Sequence, residues 1–159
     1  MTNNKSQKSL LEAIARMALF SYEPAIKKHP FLLKYLQSAK DPKMDWVLLM
    51  TAAGAGYVLL TKEDYPGEHD EMAKSVQSTD GLPGIVAKFM EFMSGLYQKD
   101  ERFYHLGIGA WMVRQIKGEE FSDVGKEEAI KQVDEVNVSV GRLLTLTIDD
   151  YVKSRIKKT

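Results

Sequence analysis

His29, His69 and His105 are the chain's only histidines, and each stands in a different chemical setting. His29 precedes Pro30 at a helix entry, where a capping or surface role is expected. His105 follows Glu101 by four residues, so the two share one helical face. A di-iron bundle needs Glu-x-x-His twice with two further glutamates, and no Glu-x-x-His occurs. His69 lies in the tract K-E-D-Y-P-G-E-H-D-E with Glu63, Asp64, Glu68, Asp70 and Glu71. Hard carboxylate oxygens beside an imidazole can hold a divalent cation, yet the order matches no EF-hand loop. Paired carboxylates also offset the positive end of a helix, and a solvated helix start is the expectation here.

Nucleophilic chemistry finds no motif. There is no cysteine, no Gly-x-Ser-x-Gly and no Gly-x-x-x-x-Gly-Lys-Ser/Thr. A triad drawn from distant residues is recognised by geometry and leaves no mark in sequence. Gly54-Ala55-Gly56 fails as a dinucleotide loop, since Leu59 stands where the third glycine belongs and no strand precedes it. Lys153, Arg155, Lys157 and Lys158 complement the negative end of a last helix. No residue is therefore assigned a catalytic, cofactor-binding or metal-binding role. Met17, Met50, Met90, Met93 and Met112 fall in apolar stretches and read as gap-filling core, although their flexibility also suits an adaptable pocket.

With 159 residues, 44% apolar and 28% charged, the chain is long enough for one core and too apolar for disorder. Basic and acidic residues balance at 22 each, which gives no general attraction for nucleic acid or anionic lipid. The balance is uneven along the chain. Residues 1–43 carry eight basic and three acidic side chains, and residues 44–80 carry two and seven. The expectation is that these segments neutralise each other across a contact. The N-terminus does not read as a secretion signal, because Glu12 and Arg16 interrupt its apolar stretch. A cytoplasmic location is expected.

Residues 1–8 read as a polar, disordered tail before a single helical domain over 9–159. Ser9-Leu10-Leu11-Glu12 forms a capping box, and Leu10, Leu11, Ile14, Met17 and Phe20 recur at helical spacing. Tyr22-Glu23-Pro24 is expected to stop this helix, and Pro30 to open another after a short linker. Asp41-Pro42 caps a helix over about 42–62 that contains WVLLMTAAGAGYVLLT, sixteen residues without a charge. That run is shorter than the roughly 20 residues a membrane span needs, so it reads as a core helix enclosed on every side.

A short polar helix follows Tyr65-Pro66-Gly67, and helices near 83–98 and 101–117 complete the centre. Gly107-x-Gly109-Ala110 repeats the small patch of the 42–61 helix, which suggests that the two cross there. The segment 136–148 alternates like a hairpin around Gly141-Arg142, but helical spacing survives from Ala129 to Tyr151. One long helix over 126–156 is the favoured reading. The fold expected is an all-α, single-domain bundle of six or seven helices with a long C-terminal helix.

Two functions fit that reading. The first is a protein that acts through protein contacts and self-associates. Its apolar stripe, Val133, Val136, Val140, Leu143, Leu144, Ile148, Tyr151 and Val152, spans about 46 Å over 31 residues and should overhang the shorter central helices. The second is a small-molecule binder or enzyme with a pocket lined by Met and aromatic residues between the central helices.

Overall fold

The computed structural model describes residues 9–30, 32, 40–61, 65–96, 108, 111–112, 131 and 135–157. The described residues are all-α, with helices α1 (Leu10–Lys28), α2 (Pro42–Leu60), α3 (Pro66–Gln77), α4 (Leu82–Leu96) and α5 (Arg142–Lys157). A five-residue π segment, Asn137–Gly141, runs directly into α5. No strand occurs among the described residues, so the hairpin reading of 136–148 is excluded.

Local chemistry sets the helix starts. Ser9 Oγ accepts from the Glu12 amide at 3.1 Å, and Asp41 Oδ1 accepts from the Met44 amide at 3.2 Å with Pro42 behind it. Both caps stand where the sequence places them. Gly81 adopts φ +79°, which turns the chain between α3 and α4 at a conformation that side chains avoid.

Pro24 does not stop α1. Its ring is exposed, while Ile14, Ala18, Ser21 and Ala25 continue one buried stripe across it. The missing amide costs the Phe20 carbonyl its i+4 donor. Packing of the stripe outweighs that loss, and the helix ends only at the His29 cap, whose amide donates to the Ala25 carbonyl. The short linker expected before Pro30 is therefore absent.

Helix α2 is the centre. Met50 to Val58 is buried on all sides, with α1 and α4 as its main neighbours. Its length and composition would allow a membrane crossing, and more than half of that window is covered by the rest of the chain. The enclosure is incomplete at the start of the helix, where Met44 and Leu48 remain 56% and 40% exposed. Gly54 and Gly56 set the spacing. A Cβ on Gly54 would lie 2.8 Å from Ile14 Cγ2 of α1, and one on Gly56 would overlap the Phe89 ring of α4. The partner patch expected at Gly107 and Gly109 lies outside the described residues. Among those described, the neighbour seated on Gly56 is an aromatic ring.

The C-terminal stripe is internal. Val136, Val140, Leu144 and Ile148 are all at most 2% exposed, and Leu143, Tyr151 and Val152 pack against the same core. The expected overhang is absent among the described residues. An ideal helix of 3.6 residues per turn would rotate a strict four-residue repeat steadily off its face. The wider π turn, bonded i to i+5, absorbs that rotation and keeps Val136 and Val140 in line with Leu144. Val133 and the start proposed near 126 lie outside the described residues, as do the tail 1–8 and all but three residues of 101–117.

Candidate functional site: an apolar cleft beside the π segment

A cleft of about 500 Å³ opens between α1, the start of α2 and the π segment. Met17, Phe20, Ser21, Pro24, Ala25 and Lys28 line it from α1. Trp46 supplies one wall from α2, and Ser139, Val140 and Leu143 supply the other. The sequence reading places a pocket between the central helices. The cleft instead borrows only Trp46 from them and lies on their flank.

Each wall is fixed by contacts that sequence alone does not reveal. The Trp46 indole N–H donates to Ser21 Oγ at 3.1 Å, and the Ser21 hydroxyl donates to the Ala18 carbonyl at 2.8 Å. Tyr22 meets the same indole edge-on, with ring centroids 6.4 Å apart. Trp46 is fully buried and held in one orientation. Phe20, by contrast, stands 77% exposed at the rim.

At the other end His29 ties α1 to the π segment. It is 2% exposed, which corrects the expectation of a surface role. His29 Nε2 lies 2.8 Å from Ser139 Oγ, and its Nδ1 lies 4.0 Å from the half-exposed Glu135 carboxylate. Burial lowers the imidazole's affinity for a proton, the neighbouring Lys28 charge lowers it further, and Glu135 pulls the other way. Burial and Lys28 prevail, so the ring is neutral at pH 7 and the Glu135 contact is a polar approach rather than an ion pair.

Serine, histidine and carboxylate in this order resemble a nucleophilic triad, but the arrangement stops short of one. The Ser139 hydroxyl lies 3.2 Å from the Glu135 and Val136 carbonyls of its own helix. It sits within helical backbone, where amides serve the helix and are not presented to an oxyanion. Glu135 is also beyond hydrogen-bond distance of the ring. The cluster can hold and orient a hydroxyl at the edge of an apolar space.

A second, partly buried polar pair lies away from the cleft. The Tyr65 hydroxyl donates to Asp149 Oδ1 at 2.5 Å, joining the cap of α3 to α5, and Tyr57 packs edge-on to the same ring at 6.1 Å. Burial, then the Asp149 bond, raise the phenol's pKa well above its ordinary value.

The acidic tract divides. Glu68 lies in the first turn of α3, His69 Nδ1 lies 3.4 Å from Asp70 Oδ1, and no group of three or more potential metal ligands forms among the described residues. Glu63, Asp64 and His105 lie outside the described residues. Sequence reasoning missed Ser21, Lys28 and Ser139. The available signal was a polar residue at a buried register: Ser21 in the stripe 14–18–21–25, and His29 four residues beyond it. No family model, curated protein or solved structure matches the chain.

Proposed function

We propose that this chain is a non-enzymatic helical protein that binds a small apolar molecule in the cleft between α1 and the π segment. The observation that carries this reading is the cleft itself, about 500 Å³ walled by Met17, Phe20, Trp46 and Leu143. Ligand sites have volumes of roughly 300–1,000 Å³, with mostly apolar walls and a few placed polar groups. Trp46, locked by Ser21, needs no reorganisation on binding, and Met17 adapts to the shape of the occupant. The neutral dye Nile red provides the test. A single-site rise in its emission is expected, abolished in Leu143→Trp, whose indole would fill the cleft from a partly exposed position. No binding, or equal binding by the variant, would overturn the proposal.

A second reading keeps the self-association expected from sequence, but moves it to another face. Met44 and Leu48, one turn apart on α2, are exposed apolar side chains that a two-fold dimer would cover. Light scattering should then give twice the monomer mass, and Met44→Glu with Leu48→Glu should halve it. A monomeric wild type would remove this reading. We also propose one domain over 9–159 with six or seven helices. Its support is the five described helices with Ile108, Trp111 and Met112, helical and fully buried in the same core. A cytoplasmic setting accompanies the proposal, with no nucleic acid or membrane as partner; the even charge balance and the covered α2 support it.

A further inference from the structure

The cleft is polarised along its length. Met17 and Lys28 both line it and stand eleven residues apart on α1, which separates them by about 16 Å. Met17 and Phe20 form one end. Lys28 and Ser139 form the other, since Ser139 is bonded to His29, the residue next to Lys28. Leu143 and Trp46 wall the space. Among the described residues that line it, Lys28 is the one charge and none is a carboxylate.

Resting on the reading of the cleft as a ligand site, we infer that its occupant is an elongated amphiphile with an apolar body and a terminal carboxylate held between Lys28 and Ser139. Lys28 lines the cleft at that end and attracts an anion, while the Glu135 carboxylate lies 4.0 Å from His29 Nδ1, across the ring from the nitrogen that meets Ser139. The C-terminus of α1 presents roughly half a negative charge there, against which Lys27 and Lys28 each carry a full positive one. Ser139 adds a donor. When His29 Nε2–H donates to Ser139 Oγ, the acceptors for the hydroxyl proton among the described residues are two backbone carbonyls of its own helix, both at 3.2 Å. A carboxylate oxygen offers a shorter, charge-assisted bond of about 2.5–2.7 Å. A cationic head has neither an acidic partner in the lining nor relief from Lys28.

Trp46, in the wall, reports occupancy by its emission. The probes are dodecanoate, dodecanol and dodecyltrimethylammonium, each below its micelle concentration and at pH 8. Dodecanoate is expected to bind about tenfold more tightly than dodecanol. Lys28→Gln should remove that difference, and Ser139→Ala should reduce it. Lys28 is exposed, so its replacement leaves the fold intact. Equal affinity for dodecanoate and dodecanol, or tighter binding of the ammonium, would overturn this inference while leaving an apolar site. Failure of all three probes to bind would overturn the ligand site itself.

Discussion

Gly56 and Phe89 fit together as a socket and its plug: the glycine leaves room on α2 for a ring of α4, and any Cβ at 56 would overlap that ring. Phe89 has nowhere to retreat, being fully buried and edge-on to Trp111 with centroids 5.2 Å apart at 88°. Gly56→Ala should therefore destabilise by about 1–3 kcal/mol and Gly56→Leu by more, through overpacking. Gly84 provides the contrast, because a Cβ there meets nothing within 4 Å. Gly84→Ala should stabilise by about 0.4–1 kcal/mol by narrowing the unfolded ensemble. Urea unfolding of both variants checks the pair, and equal effects at 56 and 84 would contradict the close approach.

The register of the C-terminal helix makes a second forecast. Val140 is 2% exposed and faces the core, so Val140→Asp buries a charge without a partner. The variant should unfold or lose several kcal/mol, as measured by circular dichroism during heating. A folded variant of wild-type stability would put Val140 on an outer face.

His29 makes stability depend on acid. Its pKa in the folded chain lies below the ordinary 6.5, so the unfolded chain binds the proton more readily. Stability held above pH 6.5 should fall as pH drops from there towards the lowered folded value. His29→Gln should flatten that part of the profile, and melting temperatures between pH 7.5 and 5 measure it. An identical slope in the variant would show that the ring is solvated.

Tyr65 acts at the opposite end of the scale. Its folded pKa is raised, so the unfolded phenol ionises from about pH 10 while the native one stays neutral. Stability from this group is complete below pH 10 and declines above it. Tyr65→Phe should lose about 1–2 kcal/mol at neutral pH with the Asp149 bond. The difference from wild type should shrink as pH rises past 10, followed by urea unfolding.

Sequence pattern revealed what short-range chemistry controls. The Ser9 and Asp41 caps and the apolar run around Gly54 each depend on residues within one or two turns, and they led to α1, α2 and the all-α class. Pro24 misled because its effect is local, whereas the stripe from Ile14 to Ala25 that overrides it belongs to packing. VNVSVG left a hairpin open beside the favoured helix for a related reason. Valine, asparagine and glycine are weak helix formers, and the same weakness accommodates the π turn that aligns Val136 with Leu144. The cleft was illegible because its polar end joins residues 110 apart, His29 and Ser139, whose pairing no spacing encodes.

Methyl-resolved NMR with dodecanol as the neutral probe tests the cleft most directly, since it shows where a ligand sits rather than only that it binds. The methyls of Met17, Ala25, Val140 and Leu143, which line the cleft, should shift together along one saturable curve. Those of Met72 and Val76, buried on α3, should stay in place. Shifts spread evenly over both sets, or confined to Met44 and Leu48 on the open face of α2, would contradict a ligand site between α1 and the π segment.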